Sequence, residues 1–281
     1  MTEAKRTVRQ AIRESYQYRE LLWNLTQREL RSRYRRSFLG WGWSLLQPAM
    51  MTAVYAIVLG TFFKVRPAPG DPSGINNFAI FLLAAMLPWN LLASGLPGGM
   101  GTIANGGSLI SRVWFPREIM PLSTILAMTI SMLIEMGVLA TFILVMTGKI
   151  MLHLLPMLAV IVILQIAFVS GITYWLAAVN VRFRDVEYIT SVFLLAYFYI
   201  SPVVYSPTFV PNTPLIGSWT MRQVFELNPM ARFIKAYRNI FYDIRLPGLN
   251  TMLYLVVAAV VSLTLGLRFF VRRSDRFAEA M

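Results

Sequence analysis

The densest charge in the sequence lies in Arg31–Pro48, where a run of arginines leads directly into a long apolar segment. Its arginines and its tyrosine are Arg31, Arg33, Tyr34, Arg35 and Arg36. Arginine is costly in hydrocarbon and Tyr favours the headgroup layer, so this junction predicts the water–lipid boundary of a membrane. A guanidinium group also pairs bidentately with phosphate oxygens, which would suit a phosphorylated headgroup at that surface. Membrane topology and attraction to anionic lipid, worth about 1 kcal/mol per cation, explain the same residues without a specific ligand. The two roles are compatible.

Residues suited to catalysis or to a resident metal are few. The sequence has no cysteine, and its single histidine, His153, has no His, Cys or carboxylate at ligand spacing, so no metal site is predicted. The one Gly-Lys pair, Gly148-Lys149, is followed by Ile150 and lacks the earlier glycine of a phosphate-binding loop. We therefore expect this chain to carry no nucleotide site and no bound cofactor of its own.

The composition predicts an all-α integral membrane protein. With 57% hydrophobic and 14% charged residues, the 281-residue chain has too little polar surface for a soluble domain. A net charge of +13 would suit nucleic acid, but the cations cluster at the ends of apolar segments, where they set topology. No nucleic-acid partner is expected.

Six transmembrane helices are predicted, because a hydrocarbon core about 30 Å thick needs about 20 residues of helix. They run at about Phe38–Phe63, Phe78–Leu96, Ile119–Thr147, Leu154–Val179, Tyr188–Tyr205 and Thr251–Val271. Trp41 and Trp43 mark the headgroup layer at the start of the first helix. Eighteen Lys and Arg fall on the side of the termini and eight on the other, which predicts that both termini are cytoplasmic.

Residues 1–37 are predicted to form an amphipathic helix ahead of the membrane domain, residues 38–281. From about Val8 to Leu30 the pattern places Val8, Ile12, Trp23 and Leu30 on one side and arginines on the other. This segment is too charged to span, so we expect it to lie along the cytoplasmic surface of the membrane.

Two connections between the predicted spans are long. The cytoplasmic one, residues 98–118, begins with glycines that predict flexibility and is then apolar from Leu109 to Phe115, which predicts a short helix at the mouth of the bundle. The external one, residues 206–249, contains five prolines between apolar patches. Its segments Trp219–Leu227 and Met230–Tyr242 are too short or too charged to span, so re-entrant or interfacial helices are predicted.

Two sets of charges lie within or between the spans. Glu135 is near mid-depth, where a charge costs roughly 2.5–3.5 kcal/mol, so it is predicted to face the bundle interior. A polar contact is favoured over proton coupling, which usually needs more than one such group. The loop with Arg182, Arg184, Asp185 and Glu187 suits either local ion pairs or the docking of a soluble partner.

Aromatic side chains recur along the predicted spans. Most rings in such a protein are core or lipid-facing, which is the simpler interpretation of each one. Together, however, apolar ring faces and Tyr hydroxyls can line a path for sugars. The candidates are Trp41, Tyr55, Phe62, Trp89, Tyr197 and Tyr199.

Five motifs follow one another along the chain. They are Arg33-Tyr-Arg-Arg-Ser-Phe-Leu-Gly-Trp-Gly-Trp, Val113-Trp-Phe-Pro-Arg-Glu-Ile-Met-Pro-Leu, Phe183-Arg-Asp-Val, Ser201-Pro-Val-Val-Tyr and Asn228-Pro-Met. As an ordered set they resemble the membrane subunits of polysaccharide-exporting ABC transporters, which export O-antigen, capsule or teichoic acid. The resemblance covers nearly the whole chain.

The resemblance implies a homodimer in the bacterial cytoplasmic membrane, working with two copies of a separate subunit that binds ATP and Mg. It also implies a glycan substrate on polyprenyl pyrophosphate and a channel at the dimer interface. Residues 206–249 would form an external gate, and the loop Arg182–Glu187 and the N-terminal helix would contact the ATPase. The cytoplasmic gate would contain Leu109, Ile110, Val113, Trp114 and Phe115.

Two other functions stay open on the sequence alone. An ABC permease for drugs or small lipids would have the same composition, and only the Arg33–Trp43 and Phe115–Pro121 motifs favour polysaccharide. A membrane enzyme acting on polyprenyl-linked sugars would need clustered carboxylates or a basic nucleophile, whereas Asp185 and Glu187 are flanked by arginines. A transport subunit without its own motor is therefore favoured.

Overall fold

The computed structural model describes residues 7–34, 37–40, 42–64, 67–105, 115–216 and 219–274. In these ranges the regular structure is helical apart from a two-stranded antiparallel hairpin, β1 (Pro214–Ile216) and β2 (Trp219–Thr220), and the rest is turns and connecting loops. The α-helices are α1 (Val8–Gln17), α2 (Arg19–Tyr34), α3 (Gly42–Tyr55), α4 (Phe78–Asn105), α5 (Ile119–Thr147), α6 (Leu155–Asn180), α7 (Val186–Ile200), α8 (Met221–Glu226), α9 (Pro229–Phe241) and α10 (Leu249–Ser274). Helix α3 continues as a π-helical segment, Ala56–Phe62, and 3₁₀ turns cover Leu152–Leu154 and Pro207–Phe209.

Five helical segments are long and apolar enough to cross a membrane. They are Gly42–Phe62, Phe78–Ala104, Ile119–Thr147, Leu152–Asn180 and Leu249–Ser274. Each coincides with a predicted span, so the multi-pass architecture is confirmed. Helix α7 has 15 residues, which at 1.5 Å per residue reach about 22 Å, less than a typical hydrocarbon core. The sixth span, Tyr188–Tyr205, therefore stays a prediction.

The N-terminal region is two helices instead of the single predicted one. A capping box at Thr7 starts α1, because its Oγ1 accepts a hydrogen bond from Gln10 N at 3.3 Å while its own N–H donates to Gln10 Oε1 at 2.8 Å. The chain leaves helical geometry at Tyr18, and α2 then packs along α5. Of the predicted apolar face, Leu30 is buried against the bundle, whereas Ile12 and Trp23 are exposed, as residues that contact lipid would be. The position of this face on the membrane surface stays a prediction. The break at Tyr18 resets the helical phase on which that face depended.

Helices α6 and α10 make the closest contact in the described bundle. A Cβ atom on Gly266 would lie 1.8 Å from the carbonyl oxygen of Gly171, and one on Gly171 would lie 2.3 Å from the backbone of Ser262. Ser262 Oγ also donates to Phe168 O at 2.8 Å across the same crossing. Small residues at this point let the two backbones touch, which is how apolar helices associate in a membrane.

Three of the glycines predicted to make residues 98–118 flexible, Gly98, Gly99 and Gly101, are in fact helical. Helix α4 runs on to Asn105, and a Cβ on Gly99 would lie 2.3 Å from Thr173 Cγ2 of α6. A Cβ on Gly98 would lie 2.7 Å from Met128 Cε of α5. Here glycine serves close packing of three helices, so the prediction of flexibility was wrong at these positions.

The end of the bundle away from both described termini, which we call the far end, comprises residues 67–77, 148–151 and 201–248. Two short helices lie there, α8 and α9, and their bounds nearly match the two segments predicted to be non-spanning. Their position relative to a membrane stays a prediction. Ten of the thirteen side chains of α9 are buried against the bundle. Tyr237 of α9 donates to Gln165 Oε1 of α6 at 2.7 Å, and Gln165 Nε2 donates to the Pro88 carbonyl of α4 at 2.7 Å. This chain of hydrogen bonds fixes α9 onto two spanning helices.

Candidate functional site

The arginine cluster begins in the last turn of α2, where Arg31 and Arg33 are exposed. Arg33 Nε lies 3.8 Å from Glu29 Oε1 one turn earlier, and both side chains are about one-third exposed. An ion pair of this kind contributes little, so the guanidinium stays available to a stronger anion. The side chain of Tyr34 and the whole of Arg35, Arg36 and Trp41 lie outside the described residues.

Arg33 lines a cavity of about 110 Å³ between α2, α3, α4 and α5. The apolar lining residues are Pro48, two leucines and two methionines. The polar lining residues are Arg33, Ser44, Gln47, Asn90, Ser94, Ser131 and Glu135. A cavity with this many polar groups holds water or a small polar ligand group. We call it the Arg33 cavity.

Glu135 lines the same cavity, which confirms the prediction that it faces the bundle interior. Its side chain is partly buried and accepts no hydrogen bond and forms no salt bridge within the described ranges. Carboxyl groups in the apolar part of a membrane protein are costly unless they are paired or hydrated. The Arg33 cavity therefore provides a place where water or a ligand hydroxyl can pair with Glu135.

Several of the predicted channel aromatics come together where α3, α4 and α7 meet. The ring centroids of Trp89 and Tyr197 are 5.8 Å apart, and Phe198 lies 5.4 Å from Trp89 and 6.2 Å from Tyr55. Trp89 is 5% exposed, so within one chain its buried ring packs against the more exposed rings of the cluster. Tyr199 and Phe62 are more than half exposed on the surface of the same region. Whether these rings line a channel stays a prediction.

The charged loop between α6 and α7 is open on the surface. Arg182, Arg184, Asp185 and Glu187 are all exposed, and none of them forms a salt bridge with another residue that the structure describes. Of the two predicted interpretations, local ion pairing is therefore not observed. The loop offers unpaired charge of both signs to a partner.

Only Phe115 of the predicted cytoplasmic gate is described, and its side chain is buried. Leu109, Ile110, Val113 and Trp114 lie outside the described residues. The motif continues into Arg117 and Glu118, which hold the start of α5 in place. Arg117 donates to the carbonyl oxygen of Ser274 at the end of α10, and Ser15 Oγ of α1 donates to Glu118 Oε1 at 3.5 Å. This motif thus joins both N-terminal and C-terminal helices to the bundle.

The Ser201-Pro-Val-Val-Tyr and Asn228-Pro-Met motifs meet at the far end. Asn228 caps α9, because its Oδ1 accepts from the N–H of Met230 at 2.9 Å, and its Nδ2 donates to Ser201 Oγ at 3.0 Å. Tyr197 of α7 donates to the same Asn228 oxygen at 2.5 Å. These contacts explain why both motifs carry polar residues beside proline.

Arg238 is the main structural residue that sequence reasoning missed. It lies on the buried side of α9 and is 6% exposed. Its guanidinium donates to three carbonyl oxygens, those of Phe81 at 3.3 Å, Tyr205 at 3.3 Å and Val203 at 2.8 Å. The available signal was its position one turn after Ile234, on the apolar face of the segment.

Comparison with known proteins agrees with the resemblance seen in the motifs. The model of the family described as ABC-2 type transporter matches residues 20–242. The O-antigen export system permease protein RfbA of Myxococcus xanthus is 31% identical over 270 residues, covering 96% of this chain and 98% of the relative. An O-antigen export system permease protein RfbA of Klebsiella pneumoniae is 26% identical over 262 residues, covering 93% of this chain and 95% of the relative.

Proposed function

Since this chain belongs to the ABC-2 type transporter family, we propose that it is the permease subunit of an ATP-driven exporter of polyprenyl-pyrophosphate-linked polysaccharide. It is a transport subunit and not an enzyme. The observation that carries the proposal is end-to-end similarity to O-antigen export permeases. The glycan is an O-antigen, a teichoic acid or a similar polymer.

In this proposal the protein is a homodimer in the bacterial cytoplasmic membrane with both termini in the cytoplasm. The exposed loop Arg182–Glu187 docks one of two ATP-binding subunits, which hold the ATP and Mg. Residues 98–118 form the cytoplasmic gate and residues 206–249 the external one. Six spans per chain follow from that topology, with α7 and the residues after it providing the fifth.

The Arg33 cavity receives the headgroup of the lipid-linked substrate. Arg33 contributes a guanidinium for one phosphate of the pyrophosphate, and Glu135, Asn90 and Gln47 contribute hydrogen-bonding groups for a hydroxyl of the first sugar. The arrangement suits an amphiphilic substrate, because its charged part meets arginines at the surface while its lipid tail stays in hydrocarbon.

The proposal is tested by purifying the tagged protein from its native membranes in mild detergent. We expect a soluble ATPase to co-purify in near-equal amount, and depletion of the permease to cause lipid-linked glycan to accumulate inside the cell. Absence of any ATPase, even after chemical cross-linking, would remove the energy source and refute the proposal.

Arg33→Gln is expected to reduce export roughly tenfold while the protein stays at its normal level in the membrane. A hydrogen bond to a charged group contributes about 1.5–3 kcal/mol, and each 1.4 kcal/mol is a factor of ten in binding. Export is measured as surface glycan per cell, and abundance by immunoblot of the membrane fraction.

Arg28→Gln is the matched control, because Arg28 is on the same helix and exposed but does not line the cavity. Both substitutions remove one positive charge, so an effect on topology or on lipid binding would be shared. Equal loss of export in the two variants would show that Arg33 has no specific role in headgroup recognition.

A further inference from the structure

The far end of the bundle contains a second, larger cavity of about 330 Å³. It lies between the loop of residues 67–71, the chain that follows α7, and helices α8 and α9. This volume is within the range of small-molecule sites in proteins. We call it the far-end cavity; it is separate from the Arg33 cavity, with which it shares no lining residue.

Cations outnumber carboxylates around the far-end cavity. The cations are Arg222, Arg232, Lys235, Arg238 and Arg245, and the carboxylates are Asp71, Glu226 and Asp243. A surplus of positive charge in a concave site attracts anions from solution.

Three of the five cations are occupied by partners within the chain. Arg232 Nη2 lies 3.3 Å from Glu226 Oε2. Arg245 lies 3.8 Å from Asp71 and 3.5 Å from Asp243, so all three carboxylates are also paired. Arg238 donates to backbone carbonyls, as described above.

Arg222 and Lys235 are different. Both side chains are exposed, and neither forms a salt bridge or a side-chain hydrogen bond with any residue that the structure describes. The cavity therefore presents two unpaired cations next to carboxylates that are already neutralised. Each of these cations can pair with an anionic group that enters the cavity without displacing an existing contact.

The rest of the lining suits a carbohydrate. Phe225, which is half-buried, offers ring surface for the apolar C–H face of a sugar, and Ser206 and Thr208 offer hydroxyl groups for its hydroxyls. A free inorganic anion would use the cations but not this apolar wall. The combination indicates a ligand that is both a sugar and an acid.

We propose that the far-end cavity binds an acidic sugar, one that carries a carboxylate or a phosphate, through Arg222 and Lys235. This inference rests on the proposed function, and it narrows the substrate class to glycans with acidic groups or to the sugar phosphate of the carrier lipid. The site acts on the side to which the glycan is delivered.

The test measures binding to the full-length protein in lipid nanodiscs, without ATPase or transport. The probes are glucuronate, glucose 1-phosphate, neutral glucose and inorganic phosphate. The affinity of each is measured by isothermal titration calorimetry. We expect at least one acidic sugar to bind at least tenfold more tightly than glucose and than inorganic phosphate. Preference for glucuronate assigns the site to acidic groups of the polymer, and preference for glucose 1-phosphate assigns it to the carrier linkage.

The double variant Arg222→Gln with Lys235→Gln is expected to weaken that binding at least tenfold without lowering the melting temperature, because neither side chain has a partner to lose. Lys64→Gln removes a cation predicted to be on the same side, outside the cavity, and should leave binding unchanged. The inference is overturned if neither acidic sugar binds, if glucose or inorganic phosphate binds equally well, or if the double variant binds like the wild type. Since no transport is measured, the binding result stands or falls separately from ATPase co-purification.

Discussion

Gly266→Leu is expected to abolish the accumulation of folded protein in the membrane. A Cβ at this position would lie 1.8 Å from the carbonyl oxygen of Gly171, about half of a normal van der Waals separation. The obstructing atoms are backbone, so no side-chain rotation relieves the overlap. Helices α6 and α10 would have to separate.

Separation of these two helices removes other contacts along the same crossing. The Ser262 to Phe168 hydrogen bond lies there, and so do the ring pairs Tyr174–Phe270 at 5.4 Å and Trp175–Phe269 at 5.8 Å. Overpacking a well-packed site typically costs about 1–3 kcal/mol, and more when the backbone must move. We expect a cost at or above about 3 kcal/mol, a large part of the stability of a membrane domain.

The measurement is size-exclusion chromatography of a fluorescent fusion in mild detergent, together with the melting temperature of any recovered protein. Gly137→Leu is the matched control, since Gly137 is also within a spanning helix and a Cβ there meets nothing within 4 Å. It should accumulate normally, because leucine has a higher helix propensity than glycine. Normal accumulation of Gly266→Leu would show that α6 and α10 do not touch at this point.

The spanning helices were predictable because their signal is local. A long run of apolar residues bounded by charged or proline-rich segments is typical of a membrane-spanning helix. The observed boundaries of α5 and α6 agree with the predicted ones within one residue. The crossing of α6 and α10 could not be predicted in the same way. Gly171 and Gly266 are isolated glycines in separate spans, and nothing in either segment indicates that they meet.

The N-terminal region was predicted as one helix, because nothing in its residue types marks the end of α1, and it consists of two. Its charge excluded a span, but Tyr18 is not a helix breaker by type, so the pattern was continued through it. Once α1 ends there, Thr26 and Leu30 become buried residues and Trp23 does not. Tertiary packing of α2 along α5 decided which side faces inward.

For the candidate site, residue types were predictable and groupings were not. The arginines, Glu135 and the aromatic residues were identified individually from charge and ring chemistry. Their assembly into the Arg33 cavity and into the ring cluster of Trp89 depends on contacts between helices that are distant in sequence. The far-end cavity had no sequence signal, because it is formed by four separate segments.

Arg238→Met is expected to lower the melting temperature and to open the far end to protease. Methionine has a similar length and no charge, but it leaves the carbonyl oxygens of Val203 and Tyr205 without this donor and removes a second donor from the helical carbonyl of Phe81. Each buried unpaired group costs about 1–3 kcal/mol. The guanidinium also lies 3.6 Å from the centroid of the Phe81 ring, a contact that methionine replaces only in part.

Removing the buried charge of Arg238 also removes its desolvation cost, which partly offsets the expected loss of stability. Burial lowers the pKa of Arg238 to about 9, and nearby Asp243 acts in the opposite direction. A pKa above neutral means that the guanidinium keeps its charge in the folded protein. Replacing a buried ion pair by apolar groups is often harmless, but here the partners are carbonyls that stay behind. The free energy lost with these hydrogen bonds therefore exceeds the desolvation free energy that is recovered.

Arg222→Met separates this structural role from the general loss of a cation at the far end. Arg222 is exposed and has no partner among the described residues. Its replacement should change the free energy of unfolding by less than about 0.5 kcal/mol, so the melting temperature should stay close to that of the wild type. Arg238→Lys should fall between wild type and Arg238→Met, because lysine retains the charge but not the planar set of donors that reaches three carbonyls. Equal melting temperatures for Arg238→Met and Arg222→Met would mean that α9 is held by its apolar face and by Tyr237 alone.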